Sequence, residues 1–180
     1  MSGHAAGLES LRASVPDYAK DLRLNLESVL SEAGAPGLEP RQARAVALAS
    51  AIASRHRPLV DALEALAAES LSPAELGGVR AAAAMMAMTN VYYRFTHLLS
   101  NKEYETMRAG LRMNVMRDPG IDKASFELCA LAVSAINGCG ACVDSHEKTL
   151  REHGVSAQGV QSAVRIASVV HAVAVTLEQA

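Results

Sequence analysis

Four residues in one stretch of the chain have the types and spacing to do chemistry together. Cys139 and Cys142 stand three apart, His146 follows four residues after Cys142, and Glu127 precedes the pair with eleven residues between. On a helix, positions three and four apart share a face, so the two thiols and the imidazole line up along one side. Asn137-Gly138 breaks the chain just before Cys139 and predicts that both thiols fall in the first turn of a new helix. Unpaired backbone N–H groups and the helix dipole favour a thiolate there, and such placement can bring a thiol from about 8.5 down to between ~3.5 and ~7.5. His146 can accept the released proton, which is the Cys–His logic of an activated nucleophile, and the second thiol can resolve the oxidised product. Glu127, expected in the preceding helix, would orient His146 or serve as a carboxylate in a proton relay.

Other uses of a Cys-x-x-Cys unit fit less well. Haem attachment needs a His directly after the second Cys, and Val143 is there. Structural zinc would use Cys139, Cys142 and His146 but needs a fourth ligand from elsewhere. A thioredoxin-like site wants a βαβ surround, of which this sequence gives no sign. Two inert buried thiols remain the bland alternative. A redox-active dithiol on a helical scaffold is the reading that employs every residue. Which thiol acts first stays open, because helix position favours Cys139 as the more acidic and His146 favours Cys142.

The elements that must position these residues are expected to be helices. Of 180 residues, half are hydrophobic but only 3% aromatic, with no Trp, and alanine dominates. Alanine is the best helix former, whereas sheets favour branched and aromatic residues. The patterning predicts one or two helices over Ser10–Leu30, then helices over Glu39–Ser54, Pro58–Ser70, Ser72–Leu99, Glu103–Met116, Lys123–Ile136, Cys139–His153 and Ser156–Leu177. Ser14 is a candidate cap with Pro16 in a first turn, Ser72-Pro73-Ala74-Glu75 is a capping signature, and Gly154 suits a helix stop. The fold class expected is all-α, a compact helical bundle of two repeated units within one domain spanning 1–180.

The repeat is visible in the residues. Leu22-Arg23-Leu24-Asn25-Leu26 returns as Leu111-Arg112-Met113-Asn114-Val115, and a shift of 83 sets Ala47-Leu48-Ala49 on Ala130-Leu131-Ala132. One unit, about 20–100, lacks the cysteine site; the other, about 108–178, holds it. In this register Cys139 falls on His56, Cys142 on Leu59, His146 on Leu63 and Glu127 on Arg44. Packing requirements should be shared by both copies, so residues present in one alone are functional candidates.

Charge and length exclude other classes. A formal net charge of -2 leaves no electrostatic footprint for nucleic acid. The longest apolar stretch is interrupted by Arg165 and His171, so no membrane span is expected. Three cysteines are too few for a disulfide scaffold, and the first residues lack the basic and apolar regions of a secretory signal. A cytoplasmic location is the expectation.

Glu127, Cys139-x-x-Cys142 and His146, together with the duplicated halves, resemble the AhpD-type alkyl hydroperoxidases of the carboxymuconolactone decarboxylase-like superfamily. The resemblance covers nearly the whole chain. It implies an all-helical homotrimer with no tightly bound cofactor or metal. It further implies a dithiol reduced by dihydrolipoamide on a lipoyl-bearing acyltransferase, itself served by dihydrolipoamide dehydrogenase. That dithiol would regenerate the peroxiredoxin AhpC and reduce organic hydroperoxides weakly by itself. By the same resemblance Cys142 attacks peroxide and passes through sulfenic acid, Cys139 is proton donor and resolving thiol that closes the disulfide, and His146 and Glu127 form the proton relay. Well-known relatives have a His directly before the second Cys; Ala141 stands there in this chain. The competing class is a non-enzymatic redox or zinc sensor using Cys139, Cys142 and His146. A superfamily member acting on a carbon substrate, for which the cysteines would be dispensable, is a third.

The remaining candidates read as structural. Cys129 is expected to be a buried inert thiol, His153 a dipole partner at a helix C-terminus, and His171 a core or subunit-contact residue. Met85, Met86 and Met88 read as helix core or interface, and Tyr92, Tyr93 and Phe95 as a packing hub or trimer contact. The run from Asp144 to Glu152 reads as a solvated face.

Overall fold

Helices form where the alanine-rich apolar pattern predicts them, and turn chemistry sets most of their ends. A computed structural model describes residues 3–179; Met1, Ser2 and Ala180 of the expected domain lie outside them. The order is α1 Gly3–Ser14, α2 Lys20–Leu30, α3 Pro40–Ser54, α4 Arg57–Ala67, α5 Pro73–Leu98, a single turn α6 Glu103–Thr106, α7 Lys123–Ile136, α8 Gly140–Glu152 and α9 Ala157–Leu177. Among the described residues there is no strand, and the fold is all-α.

Side-chain caps mark the starts of α4, α5, α7 and α9. Ser72 Oγ accepts from the Glu75 N–H while Glu75 Oε2 accepts from the Ser72 N–H, closing the capping box that opens α5. Asp122 caps α7 through the Ser125 N–H at 2.9 Å, and Ser156 caps α9 through Gly159. Gly154 carries φ +81° after α8, as a helix-stop glycine should. Pro16 divides the first segment. Ser14 ends α1 instead of capping, and a 3-10 turn at Asp17–Ala19 leads into α2.

The core is a stack of small side chains. α3 and α7 pack against each other, α9 packs on both, and α5 packs on α3, α7 and α8. Residues 45–51 of α3 and 125–134 of α7 are buried without interruption, so these two helices are central. Their alanines allow close approach; Phe126, Leu48 and Leu131 fill the remaining space. α9 is long and apolar enough to cross a bilayer, despite Arg165 and His171. Here Ile166, Val170 and Val173 are fully buried, and it packs on α2, α3 and α7. The starts of α3, α4 and α5 precede those of α7, α8 and α9 by 83, 83 and 84 residues.

One expected helix is overturned. Glu103–Met116 is not continuous: after the single turn of α6 the chain runs without regular structure to a 3-10 turn at Asn114–Arg117. Gly110 takes φ +66° in the middle, and no residue between 103 and 117 is buried. A helix needs an apolar stripe to bury, and this stretch is drawn across a cavity instead. Its likeness to Leu22–Leu26, which is helical in α2 with Leu26 buried, does not carry conformation. Gly78 of α5 makes the return possible, since a Cβ there would lie 2.6 Å from Ile121 and 2.7 Å from the Pro119 carbonyl.

Truncating the centre of this stack should be expensive. Leu131→Ala is expected to lower the unfolding free energy by about 2–5 kcal/mol in urea titrations, whereas Leu24→Ala, at an exposed site, should stay within about 0.5 kcal/mol.

Candidate redox site

The α7–α8 turn is specified by backbone geometry and clamped by α5. Gly138 adopts φ +68°, a region that costs a side-chain-bearing residue strain. The Gly138 and Cys139 N–H groups then reach back to the carbonyls of Ala135 and Ser134. Buried Asn90 of α5 donates to Ser134 Oγ at 2.9 Å and accepts from the Asn137 side chain at 2.9 Å. Arg94, one turn on, donates to the Asn137 carbonyl. Three contacts from one helix thus fix the turn that launches Cys139.

Cys139 is the N-cap residue of α8 and Cys142 lies in its first turn. The two sulfurs are joined in a disulfide, with Cα atoms 5.3 Å apart. Cys139 makes no side-chain cap bond, so its side chain takes up none of the first-turn N–H groups of α8. Their partial positive charge would favour a thiolate when the disulfide opens. The two cysteines are not equivalent. Cys139 is fully buried, whereas Cys142 is 7% exposed and lines a cavity of about 540 Å³. Tyr92 and Tyr93 form one wall of that cavity, and Met107, Met113 and Met116 of the unwound segment form another.

Glu127 and His146 meet across the α7–α8 contact. The carboxylate is 4% exposed, His146 Nδ1 lies 2.6 Å from Oε2, and Lys123 Nζ lies 2.6 Å from Oε1. Burial pushes the Glu127 carboxyl upward, but the hydrogen bonds from His146 and Lys123 outweigh it and hold the group below its ordinary value. An ionised carboxylate accepting from Nδ1 leaves Nε2 as the nitrogen able to exchange protons. That atom lies 3.2 Å from the sulfur of Met86.

Glu127, Cys139, Cys142 and His146 therefore come together. Cys129 is fully buried in α7 and its thiol is pushed far up by burial, as expected of an inert residue. His153 lies at the C-terminus of α8 with Nδ1 2.8 Å from the Thr149 carbonyl, and His171 is within 3.1 Å of Ser54 Oγ. Tyr92 and Tyr93 stack edge to face but serve the cavity, and Phe95 meets Tyr104 in the same way. Ala141 also lines the cavity. Among the described residues no three His, Cys, Asp or Glu side chains are grouped to hold a metal ion.

Sequence reasoning passed over three residues of the site. Met86 reads from the sequence as helix core or interface, and it is buried in α5. Asn90 carried a signal, being a polar residue within the apolar run of α5. Lys123 carried a weaker one in its four-residue spacing to Glu127.

Residues 102–180 match the carboxymuconolactone decarboxylase family. The chain is 54% identical over 173 residues to a protein of Bradyrhizobium sp. strain BTAi1 named alkyl hydroperoxide reductase AhpD, covering 96% of this chain and 94% of the relative. Proteins of the same name from Rhodopseudomonas palustris strain BisA53 and Streptomyces coelicolor are each 54% identical over 171 residues, covering 95% of this chain and 93% and 94% of theirs.

Because Glu127 titrates below its unfolded value, its ionisation stabilises the fold above about pH 4.3, and that contribution is lost as pH falls through the lowered folded value. Urea midpoints measured between neutral and acid pH should fall more steeply for wild type than for Glu127→Gln, which is expected to be less stable at neutral pH and flatter toward acid.

Proposed function

The chain belongs to the AhpD family of alkyl hydroperoxide reductases, and from that premise we propose that its Cys139/Cys142 pair cycles between dithiol and disulfide to reduce organic hydroperoxides. The observation that carries the reading is the disulfide at the foot of the cavity, with one sulfur facing it and a buried Glu127–His146 pair alongside.

In the reduced form His146 takes the proton of Cys142 through Nε2 while Glu127 steadies the imidazolium from Nδ1. The Cys142 thiolate attacks the terminal oxygen of a hydroperoxide; the O–O bond breaks, the alcohol leaves with a proton, and Cys142 becomes a sulfenic acid. Cys139 then attacks that sulfur, water leaves, and the disulfide closes. The dithiol has lost two electrons and the peroxide has gained them. The position of Cys142 on the cavity supports its assignment as the peroxide-reacting thiol, and the burial of Cys139 supports a resolving role.

For the return step we assign dihydrolipoamide, carried on a lipoyl-bearing acyltransferase and re-reduced by dihydrolipoamide dehydrogenase. The peroxiredoxin AhpC is the proposed acceptor besides free peroxide. A largely apolar cavity of this size can admit a slender dithiol arm. We further propose a homotrimer working in the cytoplasm; the exposed apolar side chains Phe95, Leu98, Tyr104 and Val115 support a subunit contact on this part of the surface.

An assay of NADH oxidation with dihydrolipoamide dehydrogenase, lipoamide and an organic hydroperoxide tests the cycle. Wild type should turn over, Cys142→Ser and Cys139→Ser should both be silent, and added peroxiredoxin should raise the rate. A reduced wild-type protein with no turnover under these conditions would overturn the assignment.

A further inference from the structure

Met86 has no part in the cycle above, although its surroundings are unusual for a core methionine. It is 2% exposed, its sulfur lies 3.2 Å from His146 Nε2, and Thr89 Oγ1 and Asn90 Nδ2 each approach that sulfur to 3.7 Å. A thioether can only accept hydrogen bonds. With Glu127 accepting from Nδ1, Nε2 can donate to Met86 only when the ring carries a proton on both nitrogens. Asn90 also holds Ser134 and Asn137 at the redox turn, so a single buried run connects the relay to the base of Cys139.

We propose that Met86 is a positioning residue of the redox centre, whose thioether holds the Nε2–H of His146 while the cysteines are oxidised, keeping an acid in place for the sulfur that departs when the disulfide opens. The proposal rests on the dithiol cycle given above. A donor thiolate attacks the Cys142 sulfur from the cavity, a mixed disulfide forms as the Cys139–Cys142 bond breaks, and the departing Cys139 thiolate takes the Nε2 proton. The second thiol of the donor then closes the donor's own disulfide and frees the other cysteine, so two electrons have passed to the protein. The ring, now neutral, has nothing to donate to Met86. Its Nε2 lone pair faces the lone pairs of sulfur, and that contact gives way to one with the Cys142 thiol. Oxidised and reduced centres thereby hold different partners on the same nitrogen.

The test uses the full chain in its disulfide form. Wild type, Met86→Leu and Met86→Gln are compared by the rate of disulfide reduction with dithiothreitol across pH, and by the ¹⁵N signal of His146 Nε2. Leu matches Met in size and should leave the packing sound. The other titratable groups around this pocket are Glu127 and Lys123 of α7, Cys142 of α8, Tyr92, Tyr93 and His97 of α5, and Tyr104 and Glu105 beyond it; all are unchanged in these variants. Met86→Leu is expected to be reduced about threefold more slowly near neutrality, the size of a weak hydrogen bond, with the deficit closing at acid pH. Its Nε2 signal should move toward that of an unprotonated nitrogen. Met86→Gln, which offers an oxygen acceptor, should recover most of the rate. A loss of equal size at every pH, or an unmoved nitrogen signal, would mark a packing role only and overturn the proposal. Because dithiothreitol replaces the proposed physiological donor, a Met86 effect seen alongside a failed hydroperoxide assay would uphold the positioning role while rejecting the peroxidase reading.

Discussion

A buried carboxylate cannot be left alone, and much of the site follows from that constraint. Glu127 sits in the most enclosed helix of the protein, where an unpaired charge would be costly enough to unfold or neutralise it. It is paired on one oxygen by Lys123 from its own helix and on the other by His146 from the next. The second pairing ties the rotation of α8 to α7. With His146 held inward, Cys142, one turn earlier on the same face, must also point inward, and the charged residues from Asp144 onward fall largely on the solvent side. One hydrogen bond therefore orients both the imidazole and the thiol it serves.

The α3–α4 and α7–α8 pairs differ at the matching positions. His56 and Cys139 both occupy the residue before a helix, but His56 spends its imidazole as a cap, accepting from the Leu59 N–H. Cys139 accepts no such bond. At the positions of Cys142 and His146, the α4 helix carries Leu59 and Leu63, both buried as ordinary packing. Arg44, opposite Glu127 in the register, reaches out to Glu69 near the surface. The matching positions are thus filled by apolar groups in α4 and by the candidate cysteine and histidine set in α8.

The helices were legible because their signals are local: alanine-rich apolar runs, Ser and Asp caps, and glycine stops. The four candidate residues were legible as a group because two cysteines and a histidine at helical spacing share one face, with an acidic residue in the helix before them. The segment from 103 to 117 was not, because its conformation answers to a cavity built by residues far away in sequence, and its few apolar side chains match a helical pattern equally well. Asn90 and Met86 were hidden for a related reason. Each looks like part of a long core helix until the turn and the imidazole are brought against it.

The unequal placement of the two sulfurs has a kinetic corollary. Cys139 is sealed and Cys142 opens on the cavity between α5 and α8, so in the proposed cycle oxidant and reductant would reach the centre by the same doorway. Turnover by that cycle would proceed by alternation, each partner departing before the next enters, with the oxidation state of the protein recording which came last. An excess of either partner would crowd out its opposite. With both partners near saturation, the rate would follow the ratio of the two.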